Sequence, residues 1–188
     1  MKMKIKLTLI SSLLLFLAGC TAVKEISIIP REEWKALEPK PYNSHLPEKI
    51  TIHHDGTFFP DDKDASTHIK NVQKWGMGTD RNWTDIPYHF MIDRNGNIFE
   101  GRNVFTAGET ATEYDPDGHL LITLLGNYNN QQVTDKQLES LINMIAYACI
   151  KYQISPDTIE GHKDFARTAC PGENLYNIIK DESIQYFH

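Results

Sequence analysis

Residues 1–19 set the first limit on the fold, because they read as a leader and not as part of it. Met-Lys-Met-Lys-Ile-Lys is followed by Leu-Thr-Leu-Ile-Ser-Ser-Leu-Leu-Leu-Phe-Leu-Ala-Gly: a basic start, an apolar run, then small residues ahead of Cys20. That layout is a secretory signal; the run is too short and wrongly flanked for a spanning helix. Cleavage after Gly19 leaves 169 of the 188 residues, a length that fits one domain with a real core. The leader takes Lys2, Lys4 and Lys6 with it, so the formal charge moves from −6 to −9. No basic stripe remains to neutralise a phosphate backbone, and nucleic-acid binding is set aside.

Leu17-Ala18-Gly19-Cys20 resembles the bacterial lipobox, in which the cysteine receives diacylglycerol and becomes the new N-terminus. Two or more acyl chains anchor stably, since each buried CH₂ contributes about 0.8 kcal/mol. Thr21 follows the cysteine where an Asp would signal retention, so by analogy with sorting signals the expected place is the periplasmic side of the outer membrane. Residues 20–27 are then a short lipidated tether, and residues 28–188 the working domain, expected to be monomeric. At roughly 3.5 Å per residue such a tether keeps the domain close to its membrane.

Within that domain, strand and helix patterns interleave. Lys49-Ile-Thr-Ile-His-His54 is a β-rich run between Pro47 and Gly56. Asp64 to Lys74 opens with a capping residue and carries Ile69, Val72 and Trp75 at helical spacing. Tyr88 to Asp93 and Asn97 to Glu100 flank Asn95-Gly96, a hairpin signal. His119 to Leu125 suits a central strand. Thr134 starts a helix with Leu138, Leu141, Ile142, Ile145, Ala148, Cys149 and Tyr152 on its inner side. Thr158-Ile159-Glu160 is a last brief strand and Asn174 to Lys180 a last helix. The expected fold class is α/β, a single domain with a central mixed β-sheet flanked by helices.

Chemistry concentrates at the strand ends. His53 and His54 end one strand, His162 follows another, and Cys170 precedes Pro171-Gly172. Two imidazoles and a thiolate suit Zn²⁺, and three protein ligands leave a position for water. Neighbouring side chains on a strand face opposite ways, so only one of His53 and His54 can point at such a metal; the pattern does not say which. The same alternation separates Tyr88 from His89.

Five motifs in order carry a specific resemblance: Thr51-Ile-His-His54, Trp83-Thr-Asp-Ile-Pro-Tyr-His-Phe90, Gly96-Asn-Ile-Phe-Glu-Gly-Arg102, Leu125-Gly-Asn-Tyr128 and Gly161-His-Lys-Asp-Phe-Ala-Arg-Thr-Ala-Cys-Pro-Gly172. Together with Ile29-Pro-Arg-Glu-Glu-Trp34 they resemble the type 2 N-acetylmuramoyl-L-alanine amidase and peptidoglycan recognition protein family, from about residue 28 to 180. The resemblance implies a mixed sheet with packed helices and a zinc ion on His53, His162 and Cys170. It implies hydrolysis of the amide between N-acetylmuramic acid and L-alanine in peptidoglycan or muropeptides. Tyr88 matches the family's catalytic tyrosine, and His54 and His89 fall behind the site. Some relatives carry a catalytic Lys where this chain has Thr168; many recognition-protein amidases have Thr there, so Thr168 is assigned a catalytic role beside Tyr88. The strand holding a glutamate in some cell-wall recycling relatives offers only Thr123 or a neighbour here.

Further expectations follow from proximity to the motifs. Trp83, Thr84, Arg102 and Asn127 are assigned to the groove that receives glycan and stem peptide, with core packing, solvated strand ends and a turn as the competing readings. Asp164 either supports a ligand histidine or caps its loop. Cys149 reads as a packed thiol; a Cys149–Cys170 disulfide would consume a zinc ligand. Ala107 to Gly118 departs from the Gly-Ala-His pattern of relatives and points to an altered substrate preference. Two rivals to the amidase remain: a peptidoglycan-binding protein of the same fold without catalysis, and a lipoprotein whose metal site is structural. Cys170 argues against the first, since recognition-only relatives commonly lack it, and the lack of a fourth ligand argues against the second.

Overall fold

The computed structural model describes residues 26–181. The leader, Cys20 and most of the tether fall outside them. The described chain forms one domain around a six-stranded mixed sheet with strands β1 (Ile28–Ile29), β2 (Lys49–His54), β3 (Phe90–Ile92), β4 (Ile98–Glu100), β5 (His119–Leu124) and β6 (Ile159–Gly161). The helices are α1 (Ala65–Met77), α2 (Asp135–Tyr152) and α3 (Glu173–Lys180).

The order across the sheet is β1-β4-β3-β5-β2-β6, and only the β3–β4 hairpin is antiparallel. At its turn Asp93 accepts hydrogen bonds from the backbone of Asn95 and Asn97, both at 2.9 Å. Gly96 sits at φ +82° against α2, where a Cβ would lie 2.8 Å from the Lys136 carbonyl. Glycine is needed there on both counts. β2 lies between β5 and β6, running parallel to both, with Ile50 opposite Leu120 and Ile159.

Alternation along the strands splits the core in two. On one face Ile50, Ile52, Leu120, Ile122, Leu124 and Ile92 pack under α2 and α3 through Leu141, Met144, Ile145, Ala148, Leu175 and Ile179. On the other face Met91, Phe99 and Leu125 pack with Trp34, Phe59, Ile86 and Ile69 of α1. The second cluster is smaller, and part of this face stays open.

The helix boundaries follow the capping signals. Asp64 accepts from the Thr67 amide at 2.8 Å, and α2 begins with a reciprocal box between Thr134 and Gln137. Trp75, beyond the expected end of α1 at Lys74, is 55% exposed and lies edge-on against Trp83. Ala65, Ile69, Gln73 and Gly76 form the buried stripe of α1. Trp75 lies six residues from Ile69, well off that stripe, with His68, Asn71 and Val72 on the side that borders a groove. No helix among the described residues is long and apolar enough to cross a membrane.

Candidate metal centre

Pleating decides between the paired histidines. His54 shares the α2 face with Ile50 and Ile52, where its Nδ1 accepts from the Tyr128 amide at 3.3 Å. His53 points to the α1 face, beside Tyr88 at 5.4 Å between ring centroids. In the neighbouring strand Thr123 lies opposite it in register. His162 opens the turn that follows β6, so two parallel strands deliver the two imidazoles to the same end of the sheet. Their rings are 4.5 Å apart between centroids.

Cys170 completes the set from the loop before α3. Its Sγ is 3.6 Å from His53 Nδ1 and accepts from the His54 amide at 3.3 Å. The Thr168 hydroxyl accepts from the Cys170 amide at 3.2 Å. Two residues on, Gly172 has φ +88°, and a Cβ there would meet the Tyr128 backbone at 2.5 Å. The loop therefore needs glycine to pack this closely and hold the sulfur in place. Ligand atoms of His53, His162 and Cys170 all lie within 4.8 Å of one another. The two described thiols, Cys149 and Cys170, are both free, with Cys149 packed against the main core.

The electrostatics match a cation of borderline softness. Burial, and then the neighbouring His162, holds His53 well below the ordinary histidine range. Burial lowers His162 to about 4 against the opposing pull of Glu113. Both imidazoles are thus neutral near pH 7, the form in which they bind metals. Burial pushes the Cys170 thiol up to about 12, so a thiolate at this position calls for a positive partner. His162 Nδ1 is buried with no hydrogen-bond partner, an expensive state for a polar atom unless something binds it. Donor types, spacing and the orphaned nitrogen all fit Zn²⁺.

The three donors sit at the floor of a groove of about 660 Å³. Tyr88, Thr168, Trp75, Trp83 and His68 of α1 line it. Burial, with the negative ends of Cys170 and Asp55 nearby, holds the Tyr88 phenol well above its ordinary value, so it is a donor and not a base. Sequence reasoning missed Asp55 and His68. Asp55 accepts from His68 Nε2 at 2.6 Å and from the Gly126 amide at 2.7 Å, bracing α1 against the exit of β2. An acidic residue directly after the histidine pair was the available signal.

Three residues expected at the groove do not line it. Arg102 is 1% exposed; its guanidinium donates to the Ile86 carbonyl at 2.8 Å, to the Ala107 carbonyl and to Glu109. Thr84 donates to the same Glu109 carboxylate through its amide at 2.8 Å and its hydroxyl at 2.9 Å. Asn127 holds a turn, its Oδ1 accepting from the Asn129 amide at 3.1 Å. Arg102 and Thr84 thereby fix Glu109, which does line the groove. Asp164 caps its loop, accepting from the Gly161 amide at 2.8 Å and from the Tyr176 hydroxyl at 2.7 Å. His89 packs behind the site as expected.

Residues 43–173 match the protein family described as N-acetylmuramoyl-L-alanine amidase. Peptidoglycan-recognition protein SC2 of Drosophila simulans is 31% identical over 172 residues, covering 89% of this chain and 92% of its own. Among solved structures, Drosophila peptidoglycan recognition protein SD superposes with a TM-score of 0.76 at 28% identity, covering 84% of this chain and 95% of its own. Peptidoglycan recognition protein LE, solved in complex with tracheal cytotoxin (a monomeric diaminopimelic acid-type peptidoglycan), gives 0.72 at 32% identity, covering 81% and 91%.

Proposed function

The chain belongs to the N-acetylmuramoyl-L-alanine amidase family, and on that premise we propose that it hydrolyses the amide between N-acetylmuramic acid and L-alanine in peptidoglycan or muropeptides, with zinc. The observation that carries the reading is the convergence of His53, His162 and Cys170, ligand atoms within 4.8 Å, on the floor of the groove. Three protein donors are the pattern of hydrolytic zinc sites, whereas structural sites use four. That relative LE is solved with a muropeptide supports a peptidoglycan fragment as the occupant of the groove.

His53, His162 and Cys170 would hold the ion. When bound, zinc supplies Lewis acidity, lowering the pKa of water toward about 7 and polarising a carbonyl. The protein's own part is positioning. Tyr88, neutral throughout the working range, donates its phenolic hydrogen to the oxyanion that develops as the carbonyl becomes tetrahedral. Thr168 keeps the Cys170 amide bonded and presents its side chain at the groove beside the reacting centre. Trp83 and Trp75 form an apolar wall for glycan and stem peptide, limiting water around the scissile bond.

The test is mass spectrometry of muropeptides incubated with the protein, with and without chelator. Chelator-sensitive release of free stem peptide is the expected result, reduced at least about a hundredfold in Tyr88→Phe, the scale for losing an oxyanion donor. Retention of muropeptide without cleavage would establish the binding-only alternative instead. Full turnover in Tyr88→Phe would remove the tyrosine from the mechanism.

A further inference from the structure

The loop Ala107 to Gly118, where the sequence departs from its relatives, touches both imidazoles of the site. The Thr112 hydroxyl lies 2.9 Å from His162 Nε2. The Tyr114 hydroxyl lies 3.5 Å from His53 Nε2, and the Tyr114 ring packs on His162 at 5.0 Å between centroids. The opposite nitrogens are the ones left for a ligand. His53 Nδ1 faces Cys170 Sγ at 3.6 Å, and His162 Nδ1 is buried and unpartnered.

A neutral imidazole has one N–H and one lone pair, so whichever nitrogen donates a hydrogen bond leaves the other free to bind metal. Thr112 can accept from His162 Nε2–H and pass its own hydrogen to Thr110 Oγ1, 2.8 Å away. The loop is anchored independently of the metal. Glu109 is held by Arg102 and Thr84, and Glu113 accepts from the Arg167 amide at 2.7 Å. A loop fixed at those two points can present its hydroxyls without having to be ordered when the ion arrives.

We propose that Thr112 and Tyr114 are positioning residues of the metal centre: their hydroxyls hold His162 and His53 as Nε2–H tautomers and so aim both Nδ1 lone pairs at a divalent cation beside Cys170. The proposal rests on the zinc reading above. Such supporting contacts typically change metal affinity 10–100-fold. The shorter Thr112 contact carries the larger share.

The experiment is zinc competition against a chromogenic chelator, using the full chain with its wild-type, Thr112→Val, Thr112→Ser and Tyr114→Phe sequences. Thr112→Val, close in volume but unable to accept, is expected to weaken zinc binding 10–100-fold, and Thr112→Ser to stay within about threefold of wild type. Tyr114→Phe is expected to fall between them. Nitrogen-15 NMR of the zinc-loaded wild type gives a second readout that needs no variant to fold: both ligand histidines should show a protonated Nε2 and a metal-shifted Nδ1. Wild-type affinity in Thr112→Val, or an Nε2-bound histidine, overturns the proposal while leaving the zinc reading standing. Failure of the wild-type chain to bind zinc overturns both.

Discussion

His89 is held neutral by two backbone groups of opposite kind. Its Nδ1 accepts from the Leu121 amide at 2.8 Å, and its Nε2 donates to the Thr106 carbonyl at 3.0 Å. A second ring proton would face the Leu121 N–H inside a fully buried pocket, and burial accordingly lowers the pKa to about 3. The unfolded chain binds that proton near pH 6.5, so His89 contributes stability that is complete above 6.5 and is lost as pH falls toward 3. The slope for one such group is at most about 1.4 kcal/mol per pH unit. His89→Gln keeps an acceptor and a donor without a titrating proton. Urea unfolding of the chelated protein between pH 7 and 4 should show a pH dependence shallower by about one proton in the variant. Identical slopes would mean that His89 charges without penalty.

The elements owe their ends to local chemistry and their faces to periodicity. α2 starts where Thr134 accepts from the Gln137 amide at 3.1 Å, and Thr134 also donates to the Arg94 carbonyl at 2.9 Å. Removing that hydroxyl in Thr134→Ala should cost about 1 kcal/mol, lowering the melting temperature by roughly 2–4 °C, with zinc affinity unchanged. Scanning calorimetry beside zinc titration checks this; an unchanged melting temperature would show that the cap contributes nothing. Trp75 marks where periodicity stops being informative. Spacing sets it on the stripe of His68, Asn71 and Val72, beside the buried stripe of Ala65, Ile69, Gln73 and Gly76. That this second stripe borders a groove depends on residues far along the chain, including Trp83.

At the scale of the whole molecule, parallel pairing assembles the site. β5, β2 and β6 run the same way, so their carboxyl ends emerge together, and His53, Leu125 and His162 all lie at that end. Reactive groups collect at such edges because the strands fix their exits while the loops beyond remain free to vary. The groove belongs to this end of the sheet. Outside the described residues, we propose lipidation at Cys20 and residence on the periplasmic side of the outer membrane. Cys20→Ser should move the protein from the membrane to the soluble fraction of a cell lysate, and persistence in the membrane fraction would sink the anchor.

Read alone, the sequence determined much of the described domain: the order and type of its strands and helices apart from β1, the starts of α1 and α2, and the residues whose types suit zinc. These depend on neighbours within a few positions or on motifs whose chemistry admits few substitutes. The choice of His53 over His54 came from resemblance, and only strand pleating in the folded sheet supplied its physical reason. The tertiary structure alone decided the fates of Arg102, Thr84 and Asn127, set near the groove by sequence proximity and turned instead into its supporting wall and a turn. It alone brought Asp55 to His68 across 13 residues, and Thr112 to His162 across 50. A side chain's partner is fixed by where the sheet order and the loops place it, and contacts between distant segments leave no periodic trace in the chain.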